Sequence, residues 1–330
     1  MTEGFTHPRE TFEFEGGERA GEAFAKAIAR GRVHHAWLLV GPEGVGKSTF
    51  AYRAARRLLG AAPSEGHGAL GAAPDDLVSR LVAARSHPDL MVVQLDSEDG
   101  KSRKQIPVEE ARGLPEFFAM TPALASWRVA IVDKADDLNA SGANALLKIL
   151  EEPPPRGIIL LACNRPAALL PTIRSRCRLL RIEPPTVSQT SAWLARRTGL
   201  AEPEADRLAE LARGAPSKAW RFALSGAVGA DEAARGLFDS LPKPDPAAVQ
   251  AITDGFRGPG GAERFALVVE RIADRVRVIA AEKAAAGEGA ERWAEAYDYV
   301  STLPAQVEAV NLDRADAFHA ALARLKRAAC

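Results

Sequence analysis

The stretch Ala36-Trp37-Leu38-Leu39-Val40-Gly41-Pro42-Glu43-Gly44-Val45-Gly46-Lys47-Ser48-Thr49 reads as a strand, a glycine-rich turn and the start of a helix. Residues 36 to 40 are apolar and too few for a buried helix, and Thr49 to Leu59 continues with helical patterning. Between them lies a full G-x-x-x-x-G-K-[ST] phosphate-binding loop in its proper strand-loop-helix setting. Gly41, Gly44 and Gly46 let backbone N–H groups curl around phosphate oxygens, and the helix N-terminus, with Thr49 in its first turn, adds positive potential. Lys47 is suited to neutralising β and γ phosphates, and Ser48 to ligating Mg²⁺.

Outward from this loop, short apolar runs alternate with helical patterns: Leu90 to Leu95, Val129 to Val132, Ile158 to Cys163 and Arg178 to Ile182. None has a clean period of two, as expected of parallel strands covered on both faces, so the first half predicts an α/β domain over 1–184. Residues 60–74, rich in Gly, Ala and Ser, read as a mobile surface insertion. After Glu183-Pro184-Pro185 the strand signals stop. Val187 to Thr198, Pro203 to Arg213 and about Pro216 to Leu224 predict a small helical domain over 185–226. Residues 227–330 predict an all-α domain, in which Phe265, Val268, Val269, Ile272, Val276 and Ile279 form one apolar stripe suited to core packing or to a subunit interface.

The 330 residues, 47% apolar and 26% charged, exclude a single small module and a disordered chain. Lys plus Arg and Asp plus Glu both number 43, which argues against a broad basic coat for nucleic acid. Lys101-Ser102-Arg103-Lys104 is either a local phosphate contact or a solvated loop. Three unpaired cysteines, Cys163, Cys177 and Cys330, fit neither a disulfide framework nor a four-thiolate zinc site, so no zinc is expected. The opening residues lack a signal-peptide pattern, and no long apolar run suggests a membrane span, so a cytoplasmic setting is expected.

A phosphate loop needs an acidic partner at the end of a later strand, and Asp133 after Val129 to Val132 supplies one for Mg²⁺. Hydrolytic relatives place a carboxylate directly after that Asp to polarise the attacking water. Here Lys134 stands there, a cation unable to act as a base at neutral pH. Asp136 and Asp137 are expected to cap a helix starting near Asn139 or Ser141.

Val129 to Asp133, Ala135 to Asn139, Ala143 to Pro154 and Ser175-Arg176-Cys177 together resemble the bacterial clamp-loader branch of the AAA+ ATPases. Arg32 to Leu39 and His87-Pro88-Asp89-Leu90 extend the resemblance over nearly all of the first 184 residues. It implies an AAA+ P-loop domain followed by a helical lid and a helical collar that serves oligomerisation. It also implies a heteropentamer with clamp-loader delta and gamma/tau subunits, which opens a sliding clamp and closes it on primed-template DNA. By the same resemblance Arg176 is an arginine finger acting in trans on a neighbour's γ-phosphate, and Asn164 stands at the sensor-1 position.

Two departures from the family's motor subunits bear on activity. Residues 60–87 lack the four-cysteine zinc module, and Gly214-Ala215-Pro216 is followed by Ser217 and Lys218, with Arg221 a turn later in place of a lid arginine. An intact loop with Lys134 therefore points to ATP and Mg²⁺ held without efficient hydrolysis, in a non-motor subunit. An active gamma/tau-type motor ATPase is the alternative, and a small-molecule kinase would leave the Arg176 and Leu146 to Pro154 runs without a purpose.

Overall fold

The computed structural model describes residues 6–94 and 108–330, so the basic run Lys101 to Lys104 lies outside the described residues. The chain divides into two compact units, Met1–Ala219 and Trp220–Cys330.

The first unit is built on five parallel strands, β1 (Ala36–Val40), β2 (Leu90–Val93), β3 (Arg128–Val132), β4 (Gly157–Cys163) and β5 (Arg178–Arg181), in the order β2-β3-β4-β1-β5. The three inner strands are buried at every residue, which explains their unbroken apolar runs, and β5 at the edge exposes three of its four. Alternate residues feed opposite faces. Trp37 and Leu39 meet α1 (Glu18–Ala29) and α2 (Lys47–Leu58), where Phe24 lies 4.7 Å from the Trp37 ring. Leu38 and Val40 pack with Leu146, Ile149 and Leu150 of α5 (Ala140–Glu151) and Ile173 of α6 (Pro171–Arg176). The remaining helices of this part are α3 (Leu77–Ala83) and α4 (Val108–Ala119).

The segment 60–74 is anchored, contrary to the reading of a mobile insertion. Leu70 enters the core on the α2 side, Ala61 and Ala72 are buried, and Arg53 of α2 donates to the His67 carbonyl. Its small residues serve a tight excursion in which Ser64 N–H bonds the Gly71 carbonyl at 3.2 Å. Buried Arg53 and Arg56 likewise pin the N-terminal segment to α2, donating to the carbonyls of Phe12 and Arg9, with the Arg56 guanidinium 4.2 Å from the Phe12 ring. Desolvation alone lowers Arg53 to a pKa of about 10, which leaves it charged at neutral pH.

Asp89 at the foot of β2 is fully buried and accepts N–H bonds from Ala123, Leu124 and Ala125 at 2.7, 2.7 and 2.9 Å, with Arg128 Nε at 3.6 Å. Burial by itself would raise this carboxyl, but the three N–H donors and Arg128 outweigh it and hold the group below its ordinary range.

Two helices close the first unit, α7 (Val187–Thr198), begun by a capping box between Thr186 and Gln189, and α8 (Glu202–Leu211). α9 (Pro216–Ser225) runs across the division between the units. The second unit is helical: α10 (Ala227–Asp239), α11 (Pro246–Asp254), α12 (Gly261–Ala286), α13 (Glu291–Val310) and α14 (Arg314–Ala329). The apolar stripe of α12 is core here, with Phe265, Val268, Val269, Ile272 and Val276 buried and Ile279 half-buried. Phe256 joins Phe265 and Phe318 in edge-to-face contacts at 5.2 and 5.4 Å.

Candidate nucleotide site

Strand register brings the chemistry together. Val40 pairs with Cys163 and Val132 with Leu161, so the turns after β1, β3 and β4 open at one end of the sheet, the end where parallel α/β sheets hold ligands. The phosphate loop, Asp133 and Asn164 occupy these three turns.

Ser48 Oγ donates to Asp133 Oδ1 at 2.7 Å. Lys47 is 6% exposed and its Nζ donates to the carbonyls of Gly41 at 2.9 Å and Pro42 at 2.8 Å. Desolvation lowers its pKa, with Glu43 the foremost of the carboxylates that oppose the shift. Among the described residues no carboxylate lies within ion-pairing distance of Lys47, and a buried ammonium of this kind is complemented by an anion such as phosphate. The first N–H groups of α2 have no intrahelical acceptor and begin at this same point. Hard oxygen donors at Ser48 and Asp133, a buried cation and a helix N-terminus together fit Mg²⁺ and a nucleotide polyphosphate.

Two glycines of the loop are dictated by their surroundings. Gly44 has φ +78° and a Cβ there would lie 2.7 Å from Lys218 N, while Gly46 has φ +93° and a Cβ there would meet the Phe14 ring at 2.8 Å. Ser217 N–H also donates to the Gly44 carbonyl at 3.0 Å, so the start of α9 rests directly on the loop. Neither Phe14 nor this helix carries a sequence signal for such a role, since both contacts cross more than thirty residues of chain.

Lys134 follows Asp133 in the left-handed region at φ +53° and is exposed. Asp136 and Asp137 do not cap α5; Asn139 does, accepting from Gly142 N–H at 2.8 Å. Asp136 ties the ends of β3 and β4 together instead. It accepts the Asn164 N–H at 3.0 Å and pairs with Arg165 at 3.2 Å, while Asp137 pairs with the same guanidinium at 3.4 Å. Burial raises Asp137, whereas at Asp136 burial is outweighed by the Asn164 N–H and Arg165, leaving that carboxyl lowered. Asn164 is half-buried, and its backbone is fixed by Asp136.

Arg176 stands apart from this cluster, at the last residue of α6. It donates to the Thr172 carbonyl at 3.0 Å and pairs with Glu151 at 3.0 Å, both side chains being substantially exposed. Arg221 is engaged by both carboxylate oxygens of Glu270, at 3.0 and 3.1 Å.

The sequence profile of the family described as DNA polymerase III, delta subunit, matches residues 16–186, just over half of the chain. The chain belongs to this family. Among its relatives, the DNA polymerase III subunit delta' of Pseudomonas aeruginosa is 37% identical over 194 residues, 58% of this chain and 57% of that protein. The delta' subunit of Escherichia coli is 34% identical over 199 residues, 59% of this chain and 57% of that protein. The gamma/tau subunit of Mycobacterium tuberculosis is 35% identical over 169 residues, 51% of this chain and 28% of that protein. Each match thus spans less than two thirds of the relative. A solved gamma-subunit-related protein of Thermotoga maritima is 18% identical with a TM-score of 0.44, covering 94% of this chain and all of that one. Among the described residues no helix is long and apolar enough to cross a membrane.

Proposed function

We propose that this chain is the delta-prime subunit of a bacterial DNA polymerase III clamp loader, a stator that holds ATP and Mg²⁺ without efficient turnover. The observation that carries the proposal is the end of β3: Asp133 is bonded to Ser48, and the next residue is the exposed cation Lys134. Lys47 and the first N–H groups of α2 bind and orient the phosphates, and Ser48 with Asp133 holds the metal. No base follows Asp133, and Asp136 and Asp137 are both committed to Arg165. Arg221, turned to Glu270, supports the same reading.

The partners are delta and gamma/tau subunits in a heteropentamer that loads the sliding clamp on primed DNA in the cytoplasm. Arg176 is the finger: a half-exposed guanidinium whose weak ion pair to Glu151 is exchanged for a neighbour's γ-phosphate, where it stabilises charge on the transferring phosphoryl group. An active gamma/tau-type motor is the second reading, favoured by the intact loop and opposed by Lys134.

ATP turnover by the purified chain alone, and by its complex with delta and gamma/tau subunits, tests the assignment. An inert chain and a complex slowed by Arg176→Ala support it. A chain that hydrolyses ATP by itself, with a complex indifferent to Arg176→Ala, overturns it.

A further inference from the structure

The second unit carries a charge feature that the clamp-loader reading does not use. A cleft of about 680 Å³ lies between the 240s loop, the start of α13 and the end of α14. Lys243, Arg292, Arg324, Lys326 and Arg327 line it, against Glu295 as the one acidic side chain.

These cations are also unspent. Arg221, Arg235, Arg257, Arg271 and Arg275 of the same unit each have a carboxylate partner, whereas among the described residues Lys243, Arg292, Lys326 and Arg327 have none. Arg324 lies over Tyr299, its guanidinium 4.0 Å from the ring centre, a cation–π contact that leaves its N–H groups for an acceptor. Lys326 and Arg327 complement the C-terminal dipole of α14, but that does not account for Lys243 and Arg292, which come from other segments to the same cleft. In a chain of zero net charge, five cations converging on one concavity mark a site for a ligand with several spaced negative charges.

We propose that this cleft binds the phosphodiester backbone of single-stranded DNA. Its volume is that of a pocket for a short molecular segment, within the usual ~300–1,000 Å³, which admits a few nucleotides of one strand and not a duplex. Arginine and lysine without base-reading geometry give sequence-independent contacts of the kind that set register and retention on a strand. The choice of DNA among polyanions rests on the clamp-loader reading; the charge excess does not.

Fluorescence anisotropy of a fluorescein-labelled oligothymidylate with the full chain tests this. The native chain binds at low salt, and the paired reversal Arg292→Glu with Arg327→Glu raises the Kd about tenfold or more and flattens its salt dependence. Reversal of the exposed Arg30 and Arg32 in the first unit leaves the Kd unchanged. The milder pair Lys243→Gln with Lys326→Gln weakens binding in the same direction and guards against a folding defect. The proposal is overturned by a native chain that does not bind, by variants that bind like the native chain, or by polyglutamate binding as tightly as the oligonucleotide, which marks an acidic protein partner. ATP turnover in the Arg176 experiment reads the clamp-loader assignment separately, so either conclusion can fail alone.

Discussion

Ser48 Oγ and Asp133 Oδ1, 85 residues apart in sequence, meet at 2.7 Å. The bond joins the helix that begins at the phosphate loop to the end of β3, and it sets side by side two hard oxygen donors of the kind that suit Mg²⁺.

On the proposed reading, removing either partner uncouples Mg²⁺ from nucleotide binding. Asp133→Asn keeps the shape and loses the charge, and Ser48→Ala loses the hydroxyl. Both weaken binding of a fluorescent ATP analogue on the order of tenfold or more when Mg²⁺ is present, and much less in EDTA. Equal losses with and without Mg²⁺ would assign the pair to loop structure alone.

Arg176→Ala leaves the fold intact. Its partner Glu151 is half in solvent, so the ion pair contributes about 0–1 kcal/mol and the melting temperature of the isolated chain stays nearly constant. In the complex, turnover falls by ~10³-fold or more if the guanidinium acts on a neighbour's γ-phosphate. A large drop in melting temperature would make the residue structural.

The architecture was legible where chemistry is local. Strand-length apolar runs gave all five strands to within a few residues, and the phosphate loop and Asp133 follow from a motif and one strand end. What escaped depends on distant chain. Asp136 looks like a cap because it precedes a helix, but its carboxylate accepts the backbone N–H of Asn164. Residues 60–74 look mobile by composition, yet Leu70 finds the core because α2 presents Arg53 to the His67 carbonyl. The cover over Gly44 comes from a helix far along the chain.

That cover gives a prediction of its own. Gly44→Ala both forces a side chain into φ +78° and drives its Cβ toward the backbone N of Lys218. It destabilises the first unit by roughly 1–3 kcal/mol and displaces the start of α9, read as faster amide exchange at Ser217, whose N–H bonds the Gly44 carbonyl. Unchanged exchange at Ser217 would show that the contact is yielding.

Asp89 controls acid stability. Its carboxyl is held below its usual range, so the stability it contributes is complete above the ordinary carboxylate pKa of ~3.9 and is lost as pH falls through that value toward the folded one. Asp137, raised by burial and by Asp136, runs the other way, its contribution being lost as pH rises through its folded value. Asp89→Ala takes the acceptor from the N–H groups of Ala123, Leu124 and Ala125 and the counter-charge from the buried Arg128, and costs about 3 kcal/mol or more at pH 7 by urea unfolding. Because the variant no longer has that carboxylate to protonate, its stability declines less between pH 7 and pH 3 than that of the native chain. Parallel declines would mean that the acid sensitivity arises at other carboxylates, Asp136 foremost, since the Asn164 N–H and Arg165 hold it low in the same way.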